Sequence, residues 1–415
     1  MNRKNVWLCV AAFLAGAAVT AIAAFVLMRP QWIPEQQTAQ QEAPIQQETS
    51  VPQEIPVQQE VSLIPETNTS EPSAMSGKDV DHSLVFPSWD PDSASLRELV
   101  DFVADSTDRS SPGFIDPSDR IAVFDMDGTI LCEKAPVYID YCLTMHRVLD
   151  DPTYRAAEKE YSAMLQIRDH AYYRGETYAV GGITKDVLVA SAFAGMTPEE
   201  FRDYVVDFAD STDAVGFEGM TYGQSFYRPM IEVIDYLRAN GFDVWMVSAC
   251  EREVVRALVE RCGIPYDHVI ATDVPYEASG LGDGIADKYN MGKDETILLG
   301  APLDAVECGR SGKPAAIARE IGKRPVLAFG NSAGDYSMLN YAEGNPEHTG
   351  MGFFVVCDDT QREYGNDVKA AEYRIEAEKQ GWTAISMAND WLTIYGEGVL
   401  KTGLPTEEDA LQDAA

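Results

Sequence analysis

The chain has 415 residues, 45% of them apolar, which is enough for two or three domains and a sizeable core. Its formal net charge of −35, from 67 acidic against 32 basic residues, argues against nucleic acid and anionic membrane surfaces as partners. An anionic substrate would need positive charge supplied locally, and a bound cation would provide it.

Residues 1–30 read as a transmembrane signal anchor. Arg3 and Lys4 precede the uncharged run Val6–Met28. As a helix that run rises about 34 Å, against a bilayer core of roughly 30 Å. The basic pair predicts a cytoplasmic N-terminus and export of everything after the run. Cleavage at Ala21-Ile22-Ala23 is the rival reading and would release a secreted protein. Residues 31–87 change character: positions 31–80 hold ten Gln, six Pro and seven Glu, with Trp32 the one aromatic. Within them Gln41–Glu48 returns in degenerate form as Gln53–Glu60. Such a stretch buries too little apolar surface to offset its ordering entropy, and it reads as a disordered acidic stalk.

The globular part begins near Ser88. Ser95 opens a helical pattern through Val103 as its expected cap. Short unbroken apolar runs follow at Ile121–Phe124, Val244–Val247, Val269–Ala271, Val326–Phe329 and Phe353–Val356. They have the character of strands buried on both faces of a parallel sheet. Helical patterns at Met230–Ala239, Glu251–Arg261 and Lys313–Ile321 alternate with them. The expected fold is a doubly wound α/β core over 88–134 and 229–405. Residues 135–228 read instead as an inserted, aromatic-rich helical cap. Seven cysteines, with no CxxC pair, read as buried thiols, with disulfides left open for an exported domain. The five histidines show no ligand spacing and receive no role.

The chemistry gathers at the ends of the strands, where open parallel sheets bind ligands. Asp125 and Asp127 follow Ile121–Phe124 directly, and Gly128 and Thr129 complete the turn. Paired carboxylates there suit a hard cation. Ser248 follows the second run and could bond a phosphoryl oxygen. Lys313, opening a helix in Gly312-Lys313-Pro314, could neutralise one. The loop Gly330-Asn331-Ser332-Ala333-Gly334-Asp335 is Gly-rich and acidic. The ordered set is far more specific than any member.

With these motifs in that order, residues 119–395 resemble the haloacid dehalogenase superfamily of phosphohydrolases. The insert is similar to the helical cap of the phosphoserine-phosphatase-like branch. The resemblance implies that Asp125 is the nucleophile, forming an aspartyl-phosphate, and that Asp127 protonates the leaving oxygen and later activates water. It implies phosphate binding by Thr129, Ser248 and Lys313. It also implies Mg2+ held by Asp125, the main-chain carbonyl of Asp127 and Asn331, with Asp335 acting on the metal's waters or pairing with Lys313. Asn331 stands where the family usually has aspartate, so a weaker metal site is expected. The Gly-Asn form is similar to phosphorylcholine-phosphatase-like relatives, which implies choline phosphate as one candidate substrate. Tyr138, Tyr141, Tyr222, Phe226 and Tyr227 would then enclose its ammonium. Glu133 and Arg228 are candidate readers of other substrate groups.

The expected function is a Mg-dependent phosphomonoesterase acting on a small phosphorylated metabolite outside the cytoplasm. A phosphotransferase to an acceptor other than water, and a non-catalytic binding protein on a degenerate phosphatase scaffold, are the alternatives.

Overall fold

The computed structural model describes residues 82–301 and 308–406. The predicted anchor, nearly all of the predicted stalk and Cys9 lie outside them. Among the described residues no helix is long and apolar enough to cross a membrane.

A single helical turn, His82–Val85, leads into α1 (Ala94–Thr107). Its N-cap is Ser93, whose hydroxyl accepts from Leu96 N at 3.1 Å; Ser95, the expected cap, lies inside the helix. Next comes β1 (Ile121–Phe124), and the chain then leaves the sheet for four helices: α2 (Ile139–Met145), α3 (Glu158–Arg174), α4 (Lys185–Phe193) and α5 (Pro198–Ser211). Local chemistry sets their starts. Thr184 caps α4 through Val187 N, and Thr197 and Glu200 form a capping box ahead of Pro198 at the first turn of α5. A two-residue strand β2 (Phe217–Glu218) and α6 (Arg228–Ala239) bring the chain back.

The rest follows the alternation expected: β3 (Asp243–Glu251), α7 (Arg252–Val259), β4 (Val269–Thr272), a hairpin of β5 (Tyr276–Ala278) and β6 (Ile297–Leu299), α8 (Gly312–Glu320), β7 (Leu327–Gly330), α9 (Tyr336–Glu343), β8 (Met351–Val356), α10 (Asp367–Gln380) and β9 (Thr383–Ser386). A last strand, β10 (Leu400–Lys401), pairs antiparallel with β2.

The main sheet has the order β4-β3-β1-β7-β8-β9, and every pairing in it is parallel. Side chains alternate across it. On one face Phe124, Phe329 and Phe353 stack with centroid spacings of 4.2 and 5.0 Å, and α1, α6 and α7 cover them. On the other, Val123, Val247, Ile270, Ala328 and Phe354 meet α8, α9 and α10. Both faces are therefore dry over the central strands, which is why β1 and most of β8 are unbroken apolar runs. The chain runs outward from β1 through β3 to β4 and then crosses back to β7. The C-terminal end of β1 is thus the switch point of the sheet, where a crevice is topologically required.

Candidate active site

Asp125 stands at that switch point, its N–H continuing the β1–β7 ladder to Phe329 O at 2.9 Å. The next residues close a tight turn: Thr129 N and Ile130 N reach back to Met126 O, and Gly128 N donates to Leu131 O at 2.7 Å. Gly128 has φ of 81°, and a Cβ there would sit 1.9 Å from Asn331 Nδ2. Glycine is needed for both the left-handed backbone and the close approach of the Asn331 side chain.

Lys313, in the first turn of α8, is 1% exposed. Its Nζ donates to Asp125 Oδ1 at 2.5 Å, Asp335 Oδ1 at 2.7 Å and Val247 O at 2.8 Å, so all three ammonium protons are placed. Burial alone would favour a neutral amine, but the Asp125 and Asp335 carboxylates hold Lys313 well above its ordinary value. Asp335 uses its other oxygen to accept from Asn331 N and Ser332 N, both at 3.0 Å, which fixes the loop after β7. Asp335 thus pairs with Lys313 and anchors this loop at once.

Burial, with the nearby Asp335 charge, raises Asp125 to about 7 against the pull of Lys313. Asp127 is pushed far above the ordinary carboxylate range, first by burial and then by Asp140 and Asp125. Its Oδ1 is buried without a hydrogen-bond partner. Burial thus drives both carboxylates toward the acid form, Asp127 further than Asp125, which a cation also pins.

Asp125, Asp127, Glu133, Ser248, Lys313, Asn331 and Asp335 all line one cleft of about 410 Å³. Ser248 lies within β3, beside the register shift between Val247 and Glu251, and its Oγ accepts from Cys250 N at 3.1 Å. Thr129 is fully buried behind the cleft. Its hydroxyl donates to Asp125 Oδ2 at 3.2 Å and reaches Asn331 Oδ1 at 3.4 Å, so it orients the carboxylate rather than facing a ligand. Arg228 is not brought here; it lines a second cleft with Glu232, Arg261 and Gly396.

The five expected aromatic residues also separate. Tyr138 and Tyr141 line the cleft. Tyr222 stacks on Phe208, Phe226 borders the second cleft, and Tyr227 packs between Trp391 and Tyr395. Sequence reasoning missed four cap residues in the cleft wall: Asp140 of α2, Thr177, and Lys185 and Asp186 at the start of α4. A lone carboxylate in the otherwise uncharged run Ile139–Met145 is the one signal that could have found Asp140. The six described cysteines carry no disulfide.

Among the described residues no group of three or more His, Cys, Asp or Glu side chains forms a metal cluster. The oxygen set of Asp125, the Asp127 backbone and the Asn331 amide, beside the unpartnered Asp127 Oδ1, nonetheless fits a cation that keeps several waters, as Mg2+ does.

The model of the family described as haloacid dehalogenase-like hydrolase matches residues 122–340. No curated protein sequence matches the chain. Among solved structures, a protein of unknown function from Bordetella pertussis Tohama I is 16% identical, covering 64% of this chain and 97% of its own, with a TM-score of 0.40. A functionally unknown protein from Anaerococcus prevotii is 14% identical, covering 72% and 92%, at 0.43. A phosphoserine phosphohydrolase-like protein from Francisella tularensis is 15% identical, covering 57% and 87%, at 0.32. These distant likenesses bear on neither activity nor substrate.

Proposed function

The chain belongs to the haloacid dehalogenase-like hydrolases and is a phosphatase-like hydrolase of that family; from that premise we propose that it is a Mg-dependent phosphomonoesterase working through an aspartyl-phosphate on a small phosphorylated metabolite outside the cytoplasm. The observation that carries this reading is the Lys313 ammonium fixed on Asp125 and Asp335 beside the protonation-prone Asp127.

In the first step an Asp125 oxygen attacks phosphorus, the bond from phosphorus to the ester oxygen breaks, and Asp127 gives that oxygen its proton. In the second, the Asp127 carboxylate takes a proton from water as the water attacks the aspartyl-phosphate. Phosphate leaves, Asp125 is restored, and Asp127 is again an acid. Lys313 aims Asp125 and opposes the protonation that burial favours. Because its three protons are already placed, contact with a phosphoryl oxygen requires exchange of one of these bonds. Ser248 lies at the cleft wall for the same oxygens. Mg2+, when bound, would add positive charge beside the transferring group to that of Lys313.

The uncharged run Val6–Met28 after Arg3 and Lys4, followed by the Gln/Pro/Glu stalk, supports a tethered domain outside the cytoplasm. The test of the activity is phosphate release from p-nitrophenyl phosphate by the full chain, with Mg2+ and with chelator. Turnover should need the metal and vanish in Asp125→Asn. Normal rates in that variant would overturn the reading.

A further inference from the structure

The cap brings its own charges to the cleft. Lys185 Nζ lies 2.5 Å from Asp140 Oδ2 and 2.6 Å from Asp186 Oδ1. The Asp140 side chain is 3% exposed, and its other oxygen, Oδ1, is buried with no hydrogen-bond partner. A buried carboxylate oxygen left unpaired is costly, and it points to a ligand that brings a donor.

The balance of charge says what kind of donor. Outside the Lys313 pairing with Asp125 and Asp335, Glu133, Asp140 and Asp186 face the cleft against two cations: Arg310, and Lys185, whose contacts are taken by two of those carboxylates. The wall therefore carries an uncompensated negative charge. A carboxylate or second phosphate on the leaving group would be repelled, whereas an ammonium would be drawn in. A quaternary ammonium meets the charge but has no N–H for Asp140. The two rings that would enclose it already lie near lysine ammoniums, Tyr141 at 5.5 Å from Lys185 Nζ and Tyr138 at 5.9 Å from Lys134 Nζ.

We propose that Asp140 and Asp186 form the leaving-group subsite for a phosphate ester of an amino alcohol, with the protonated amine donating to Asp140 Oδ1. The proposal rests on the phosphomonoesterase reading above. It separates this cleft from one built for an anionic or a tetraalkylammonium leaving group.

The experiment compares kcat/KM of the full chain with Mg2+ on p-nitrophenyl phosphate, ethyl phosphate, O-phosphoethanolamine, phosphocholine and phosphoglycolate. The aminoethyl ester should exceed the ethyl ester by roughly tenfold or more, the worth of one charge-assisted hydrogen bond. Phosphocholine should fall below the aminoethyl ester, and phosphoglycolate should be poorest. Asp140→Asn should bring the aminoethyl-to-ethyl ratio toward one. Asp186→Asn, at a side chain 47% exposed and so safe for folding, should lower it part of the way.

Equal use of the ethyl and aminoethyl esters, preference for phosphocholine or phosphoglycolate, or an unchanged ratio in both variants would overturn the subsite. Silence toward every ester, p-nitrophenyl phosphate included, would instead sink the hydrolytic reading. Calorimetric binding of O-phosphoethanolamine against ethyl phosphate would then decide the subsite by itself, equal affinities overturning it.

Discussion

Lys313 Nζ and Asp125 Oδ1 lie 2.5 Å apart at the C-terminal end of the central strand, and the lysine bridges onward to Asp335 in the loop after β7. The pair ties a helix start to two strand ends, so it serves the fold and the site at once. Lys313→Met would leave two buried carboxylates without their cation. Breaking a buried pair on one side costs about 3–5 kcal/mol. The variant is expected to unfold at markedly lower denaturant and to lose phosphatase turnover completely. Retention of parental stability in urea unfolding would show that the charges are less buried than their contacts indicate.

Gly128 tests the close approach of the turn to Asn331. Alanine there meets both a φ of 81° and an Asn331 nitrogen 1.9 Å from its Cβ. The left-handed strain alone is about 1–2 kcal/mol, and the clash moves the Asn331 side chain as well. Gly128→Ala is expected to keep the fold but lose most of its turnover and metal affinity. A variant with parental kcat/KM would show that Asn331 has no part in the reaction.

Much of this was legible in the chain because the strands are dry on both faces. Runs such as Ile121–Phe124 have no polar position to blur them, and the residues at their ends then fall together by topology. The edge strand Thr383–Ser386 was illegible for the opposite reason, since only Ile385 of its four residues is buried. The cap defeated sequence reading more thoroughly. Asp140 and Lys185 lie 45 residues apart on different helices, and no spacing rule joins them. Arg228 was misjudged because its place at a cap junction says nothing of direction, and it borders the second cleft. The N-cap of α1 was misplaced by two residues because Ser93 and Ser95 are equally good capping types, and only the Leu96 N–H chooses between them.

Asn331 offers a neutral amide where the family's metal sites usually carry a carboxylate. Its Nδ2 contacts Glu133 Oε2 at 3.5 Å, and its Oδ1 meets the Thr129 hydroxyl at 3.4 Å. Asn331→Asp would add charge to the proposed Mg2+ site and bring a second carboxylate up to Glu133. The expected result is Mg2+ affinity higher by roughly tenfold, with the metal-free variant less stable than the parent. Calorimetric titration with Mg2+ and thermal unfolding in chelator read the two effects separately. Unchanged affinity would place the cation away from residue 331.

Glu251, at the end of β3, gives a pH dependence independent of the metal site. One oxygen accepts from Val254 N at 3.0 Å as the cap of α7, and the other is buried without a partner. Burial, with the Glu253 charge beside it, raises its pKa from 4.5 to about 8. A carboxyl that binds its proton more tightly when folded contributes stability that is whole below the unfolded value and lost as pH climbs through the folded one. Over pH 5 to 9 that loss is on the order of 3 kcal/mol. Glu251→Gln keeps the cap acceptor and removes the titration. Its unfolding free energy should therefore gain on the parent's between about pH 5 and 8 and level off above. Parallel stability curves in urea across that range would show that Glu251 is ionised in the folded protein.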